Sequence, residues 1–393
     1  MNILMVLETQ FPPDLRVENE IDALLQAGHN VTIISGFREK KETLGKYGQA
    51  RIIRVFIPKF IYKSSIGCIS YPFYFNFWQR KIRKELLSNP YDAVHIHDLP
   101  LTKVLVDLRK EMQASYKITL DLHENYPDML KIAKHTKTFL GKFFFDYQRW
   151  LAYEYKMISE VDTIITVVDE MKERIVTQGI DAEKVVVVSN TFNSSKFSPP
   201  PRNPSKKDFI LFYGGGVTID RGLQNILPAL PALANEISNL KLWIVGDGSY
   251  LKDLKEQTKS LRIDNLVTFY GRQPFTQLLK LLAQANIALI PHLKSPQTES
   301  GLPHKLFQYM ITGIPIVASN CLPFIRILDH NKAGLIYQYD QAEDFADKIK
   351  KLYSDKELQQ SLANKAKQVL LEKYLWDYDA QRLVKIYQAD RFL

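Results

Sequence analysis

The sequence predicts an α/β protein built from two similar domains, each a largely parallel sheet with helices on both faces. Three observations predict it. Short β-branched runs alternate with amphipathic helical stretches along almost the whole chain, the pattern left when each strand is followed by a crossover helix. That alternation is interrupted once, over Ser194–Ser205, where four prolines and few apolar residues read as an interdomain linker. In both halves, glycine-rich or polar segments follow directly on strands, where sheets of this class hold their ligands.

The first half contributes strands at Ile3–Leu7, Val31–Ile34, Ile52–Phe56, Ala93–His97, Ile118–Leu122, Thr163–Val168 and Val185–Val188. Between them lie helical patterns such as Arg16–Ala27, which stops at Gly28, and Thr102–Met112. The second half repeats the scheme with strands Phe209–Tyr213, Leu242–Val245, Val267–Tyr270, Ile287–Ile290, Ile314–Ala318 and Gly334–Tyr337. Its helices are Gly222–Ala234, Leu251–Leu261, Phe275–Ala283 and Glu343–Tyr353, closed by Lys356–Lys373 and Trp376–Phe392. The expected domains are 1–198 and 199–373, with a cleft between them and a last helical segment, 374–393, returning to the first.

Composition narrows the function classes. With 393 residues, 46% of them hydrophobic and 24% charged, the chain can bury a large core and is not disordered. A net charge of +9 favours anionic partners: nucleotides, nucleic acid or acidic lipid. Two distant cysteines, Cys68 and Cys321, offer neither a disulfide framework nor a zinc spacing, and the N-terminus reads as a strand rather than a signal peptide. No apolar run reaches the length of a membrane span, so the expected location is cytoplasmic. The stretch Arg51–Leu87 adds peripheral attachment to the inner face of the plasma membrane to that expectation. It carries Arg51, Arg54, Lys59, Lys63, Arg80, Lys81, Arg83 and Lys84 against a single acid, Glu85, interleaved with nine aromatics. A similar mixture recurs over Lys131–Trp150, including Lys142-Phe143-Phe144-Phe145. The competing reading is an amphipathic helix whose aromatics are core. No nucleic-acid motif accompanies the charge.

Four segments carry the chemistry. Strand Phe209–Tyr213 runs into Gly214-Gly215-Gly216 ahead of Arg221, a turn that exposes backbone N–H groups beside a guanidinium suited to phosphate. Its spacing is neither Gly-x-Gly-x-x-Gly nor a Walker loop, and the plain alternative is a tight turn with a solvated arginine. Gly246-Asp247-Gly248 follows the next strand and reads as a loop against a base or phosphate, or as an ordinary turn. In Glu299-Ser300-Gly301-Leu302-Pro303-His304-Lys305, amides at a helix start join Lys305 as candidates for phosphate or sugar oxygens, and Gln308 shares the helical face of Lys305 and reaches for a ribose hydroxyl. In the first half, Asp121-Leu122-His123-Glu124 and His95-Ile96-His97-Asp98 end buried strands, and Asp14 and Arg16 form a third rim after the first strand, Asp14 also being a helix cap. The His and acid spacings match no standard metal triad, and no metal is expected.

Taken in order, these motifs resemble the retaining glycosyltransferases of family 4. Pro13-Asp14-Leu15-Arg16-Val17 and Leu25-Gln26-Ala27-Gly28-His29-Asn30-Val31-Thr32 resemble the family's opening strand–helix–strand, and Asp121-Leu122-His123-Glu124 its N-domain active-site segment. Val188-Ser189-Asn190-Thr191-Phe192-Asn193, Gly246-Asp247-Gly248, Tyr270-Gly271 and Phe307–Pro315 complete the set. The resemblance implies a GT-B fold of two facing Rossmann-like domains, and metal-independent transfer of a hexose from a UDP- or GDP-sugar with retained anomeric configuration. It implies no cofactor beyond that donor, and an acceptor that is a saccharide or a lipid-linked saccharide of cell-surface polysaccharide synthesis. It matches Arg221 to the residue holding the donor phosphates and His123 to the histidine near the transferred sugar. His123, Arg221 and Lys305 are then the expected catalytic residues. Gly215, Gly216, Gly246, Asp247, Gly248, Glu299, Ser300, Gly301, Leu302 and Gln308 are assigned to the donor, and Asp14, Arg16, Asp98 and Glu124 to the acceptor. The chain departs from the family where an arginine often stands, at Gly216, and where two glutamates eight apart are usual, at Ser300 and Gln308. A non-catalytic GT-B partner protein and a nucleotide-sugar epimerase are the alternatives.

Overall fold

A computed structural model describes residues 1–39, 44–138, 141 and 144–388. The chain divides into two units, Met1–Ser189 with the segment from Asp377 onward, and Asn190–Trp376. The division precedes the proline-rich segment because that segment is held to the second unit. Asn203 N–H donates to the Ala283 carbonyl at 2.9 Å, and Arg202 donates to the carbonyls of Gly313 and Ala285 at 3.1 and 2.9 Å. Of the residues expected to attach to a membrane, Lys142 and Phe143 lie outside the described residues, as does the Phe392 end of the last helix.

The first unit holds an eight-stranded sheet: β1 (Asn2–Leu7), β2 (Asn30–Phe37), β3 (Leu44–Tyr47), β4 (Ala50–Phe56), β5 (Ala93–His97), β6 (Lys117–Leu122), β7 (Thr163–Thr166) and β8 (Val185–Val187). Their order is β3-β4-β2-β1-β5-β6-β7-β8, parallel except for the β3–β4 pair. The sequence pattern misses only β3, four residues of an exposed edge with a glycine at its second position. Ile3, Leu4, Met5 and Val6 are fully buried, as a strand covered on both faces requires. Helix α1 (Leu15–Gln26) starts where Asp14 accepts from the Val17 N–H at 3.1 Å. Two helices lie between β4 and β5. α2 (Lys59–Ser64) buries none of its residues, whereas α3 (Phe73–Ser88) buries Tyr74, Phe75, Trp78 and Ile82.

The second unit holds β9 (Phe209–Gly214), β10 (Leu240–Val245), β11 (Val267–Gly271), β12 (Ile287–Ile290), β13 (Ile316–Ser319) and β14 (Leu335–Tyr337), all parallel, in the order β11-β10-β9-β12-β13-β14. Its core clusters around Leu211, Leu242, Ile244 and Leu289. The helix expected over Gly222–Ala234 is broken into Leu223–Ile226, a 3-10 turn at Leu227–Ala229 and Leu230–Glu236. Pro228 and Pro231 remove the amides that would have continued it. Among the parallel strands the order reverses direction once in each sheet, between β1 and β5 and between β9 and β12, and the carboxyl ends at such a reversal form a natural crevice.

Candidate functional site

At the β9/β12 reversal the chain leaves β9 through Gly214-Gly215-Gly216, and the loop Gly246-Asp247-Gly248 lies against it. Gly215 N–H donates to the Val245 carbonyl at 2.9 Å, Val217 N–H to the Asp247 carbonyl at 3.0 Å, and Gly246 N–H to the Gly271 carbonyl at 2.8 Å. Gly214 N–H donates to the Tyr309 hydroxyl at 2.9 Å. The expectation that this run presents bare amides therefore needs correction: only the Gly216 N–H takes no acceptor among the described residues. Gly246 and Gly248 are glycines for the sake of neighbouring backbone. A Cβ on Gly246 would fall 1.9 Å from the Gly215 carbonyl oxygen, and one on Gly248 2.2 Å from that of Val217. The two loops wall a cavity of about 660 Å³ lined by Gly215, Gly216, Gly246, Asp247, Arg272 and Gln273, among others.

Behind Gly215 sits Lys305, in the first turn of the helix His304–Thr312. Its Nζ lies 3.9 Å from the centroid of the Tyr213 ring and is buried without a hydrogen-bond partner. Gly215, at φ +133, makes room for it, since a Cβ there would stand 2.7 Å from that Nζ. Burial, with the Arg221 charge nearby, holds the Lys305 amine well below the usual lysine range. Arg221 donates to His292 Nε2 at 2.8 Å and lies 3.2 Å from Asp220. Burial, together with Arg221 and Lys305, keeps His292 neutral and fit to accept. Gly301 and Leu302 carry N–H groups with no acceptor among the described residues, just ahead of that helix. Gln308 is half-buried one turn beyond Lys305, and Glu299 lies 3.5 Å from Lys294. Ser300 does not present its hydroxyl to a donor. The side chain is buried and donates to the Pro296 carbonyl at 2.7 Å, closing its own short helix. Sequence reasoning missed Tyr213, His292, Arg272 and Gln273, although the last two directly follow β11, at the strand end where such sheets bind.

In the first unit the β1/β5 reversal gathers a charged network. Arg16 donates to both oxygens of Asp121, at 2.9 and 2.6 Å, and to the Val188 carbonyl at 3.0 Å. Arg16 is 4% exposed, so it is a buried ion holding β6 to α1 and not an acceptor contact. His123 Nε2 donates to Asp121 at 2.9 Å, with His97 Nδ1 3.1 Å away, and its Nδ1 lies 3.8 Å from Asp98. Burial opposes the charged ring, but Asp98 and Asp121 outweigh it and raise the His123 pKa to about 10. Burial likewise opposes the Asp121 carboxylate, yet Arg16 and His123 hold it well below the usual range. Burial and Asp121 push Glu20 the other way, toward its neutral form. Asp98, at φ 66, and Glu124 are half-buried at the strand ends, and Asp14 caps α1. Glu8, overlooked in the sequence, follows β1 at the same end. It accepts from the Tyr74 hydroxyl at 2.6 Å, and burial lifts its carboxyl to about 7.

Among the described residues, Glu20, His95, His97 and Asp121 place ligand atoms within 4.8 Å of one another, the one grouping with the composition of a metal site. The Arg16 guanidinium already engages both Asp121 oxygens there, and the Tyr387 hydroxyl lies 2.7 Å from His95 Nδ1. The cluster thus carries its own cation.

Two family models match the chain. "Glycosyltransferase Family 4" covers 16–196 and "Glycosyl transferases group 1" covers 194–369. An uncharacterized glycosyltransferase of Methanocaldococcus jannaschii is 26% identical over 249 residues, 60% of this chain and 62% of that protein. A Mycobacterium tuberculosis glycogen synthase is 24% identical over 239 residues, 61% of this chain and 56% of the other. The matched parts thus span under two thirds of either relative. Among solved structures, sucrose-phosphate synthase from Thermosynechococcus elongatus superposes with a TM-score of 0.77 over 98% of both chains at 16% identity. Anabaena HepE in complex with UDP-glucose superposes with a TM-score of 0.70, covering 98% of this chain and 99% of its own, at 14% identity. At such identity what is shared is the two-sheet architecture.

Proposed function

We propose that this chain, which belongs to the glycosyltransferases of family 4 and has their GT-B fold, transfers a hexose from a UDP- or GDP-sugar to a saccharide or lipid-linked saccharide acceptor with retention of anomeric configuration. The observation that carries the reading is Lys305 Nζ, a buried amine with no acceptor, set against the glycine turn and beside Arg221. An amine in that position gains both its charge and its acceptor when an anion arrives. A diphosphate supplies it, and the solved Anabaena neighbour is in complex with UDP-glucose.

In this reading the second unit holds the donor. The Gly216, Gly301 and Leu302 amides with Arg221 and Lys305 take the phosphates, the Asp247 and Arg272 side takes the nucleoside, and Gln308 takes a ribose hydroxyl. As the C1–O bond breaks, its electron pair passes to the diphosphate, where the two cations stabilise the growing charge. The acceptor oxygen bonds C1 on the same face, and its proton leaves on the departing phosphate oxygen. The first unit serves the acceptor through Asp98, Glu124 and His123, which at neutral pH is a cation and a donor of hydrogen bonds rather than a base. Lys305 and Arg221 supply the charge a divalent ion would otherwise provide, so chelator should leave turnover intact. Ser300 and Gln308 in place of two carboxylates favour one rival, a partner protein without donor chemistry. Calorimetry with a panel of UDP- and GDP-sugars decides: micromolar-to-millimolar binding of one donor is expected, and no binding of any hands the case to the rival.

No helix among the described residues is long and apolar enough to cross a membrane. Separately, in this reading a lipid-linked acceptor of cell-surface polysaccharide synthesis is met at the bilayer surface, as the basic and aromatic composition of Arg51–Leu87 suits.

A further inference from the structure

Helix α2 is anomalous. An amphipathic helix normally hides one face, yet no residue of Lys59–Ser64 is buried. Its Phe60 ring is 69% exposed and meets the edge of Phe73, itself 53% exposed, at 6.4 Å between centroids. Tyr62, Tyr71 and Phe56 are also exposed, although the Tyr71 ring meets Phe144 and the Phe56 ring meets Phe37. The aromatics of this stretch are thus sorted by the fold. Tyr74, Phe75 and Trp78 are core, Phe77 is half-buried with its ring against Trp78, and Phe60 and Phe73 form an uncovered apolar pair beside the exposed Lys59 and Lys63. From Phe56 to Lys84 the chain contains no acidic residue. Lys59 and Lys63 flank Phe60, are exposed, and form no ion pair among the described residues. Arg38 stacks its guanidinium 3.7 Å above the Tyr62 ring, adding a further cation at the same rim.

We propose that α2 and the first turn of α3 form a docking surface for an anionic lipid bilayer, with Phe60 and Phe73 entering the headgroup layer and Lys59 and Lys63 meeting lipid phosphates. Aromatic rings and amines at one level suit the interface between acyl chains and headgroups. Charge argues against the simplest competitor, a second copy of this chain. A two-fold contact through the same patch would set Lys59 and Lys63 of each copy against a surface with no acid to receive them. The inference stands on this surface alone and does not depend on the donor site.

The test is flotation of the full chain with vesicles of phosphatidylcholine alone or mixed with phosphatidylglycerol. Wild type should float with the mixed vesicles at low salt, stay down with the neutral ones, and be released at high salt. Lys59→Ala with Lys63→Ala should weaken binding about 30-fold, from the usual contribution of a basic residue at an anionic surface. Phe60→Ser should also release the protein while its far-UV spectrum and melting temperature stay at wild-type values, because the ring is largely exposed and the Phe73 ring it meets is exposed as well. Three results would each overturn the proposal: no flotation with anionic vesicles, equal binding to neutral ones, or a wild-type dimer that Phe60→Ser converts to monomer.

Discussion

Replacing Lys305 by methionine should move two measured quantities in opposite directions. In the empty protein the Nζ is buried without an acceptor and rests on the Tyr213 ring. An unsatisfied buried polar group costs about 1–3 kcal/mol, and the ring face returns some of that. Methionine has a similar length, no polar atom and a sulfur that packs well on aromatics. Lys305→Met should therefore raise the stability of the ligand-free protein by about 1 kcal/mol, a melting shift of about 2–4 °C for units of this size. The same change removes a charge-assisted contact to the diphosphate worth about 1.5–3 kcal/mol, so donor or nucleoside diphosphate should bind about 10- to 100-fold more weakly. Scanning calorimetry without ligand and titration calorimetry with UDP and GDP read the two effects separately. A lower ligand-free melting temperature would mean that the amine has a structural partner. An unchanged dissociation constant, for a nucleotide that wild type binds, would mean that the phosphates lie elsewhere. Either result defeats the reasoning.

Three further outcomes are expected. Gly246→Ala should lower thermal stability by several degrees and abolish donor binding, because its Cβ would overlap the Gly215 carbonyl at a φ of +146; Gly216→Ala, which meets nothing within 4 Å, should fold like wild type. Arg16→Met should destabilise the protein by about 3–5 kcal/mol in denaturant titration, since it leaves Asp121 buried without its main partner; a loss under 1 kcal/mol would remove Arg16 from the network. The pKa of His123 is raised on folding to about 10, so its stabilising contribution is complete below about 6.5 and declines as pH rises toward 10. In His123→Gln that alkaline decline should flatten in a pH series of melting temperatures.

Most of the fold was legible because both sheets are covered on two faces. Strands such as Ile3–Leu7 and Leu211–Tyr213 then appear as unbroken apolar runs with a helical period between them. What escaped was structure without that signature. β3 is a four-residue exposed edge, and the break at Pro228 and Pro231 is visible in the sequence only if each proline outweighs the surrounding period. Residue type and position after a strand single out the glycine turn, Arg221 and Lys305, and the structure brings the three together. Their surroundings are another matter. The sequence cannot show that the Gly215 amide faces Val245, or that Gly246 and Gly248 leave room for neighbouring backbone as well as lining the cavity. Nor could it divide the aromatics of 56–78 into buried and exposed sets, since Phe73 and Phe75 differ only in which face of α3 they occupy.

Arg16 and Lys305 are two buried basic residues with opposite surroundings, and the proposed function assigns them opposite roles. Each stands near the carboxyl end of the first strand of its own sheet, each has its charged atoms buried, and each reads as a ligand contact in the sequence. Arg16 donates to two Asp121 oxygens and the Val188 carbonyl, and Asp121 stays ionised because of it. Its desolvation is compensated inside the protein, so a ligand has nothing to add. Lys305 has no such partner, and burial drives it toward the neutral amine. An anion entering beside it restores a proton and a hydrogen bond together, so the binding energy of that anion includes the relief of a strain built into the empty site. Residue type and spacing are the same kind of signal for both cations. The acceptors within reach are what differ: Arg16 has at least three, and Lys305 Nζ has none among the described residues.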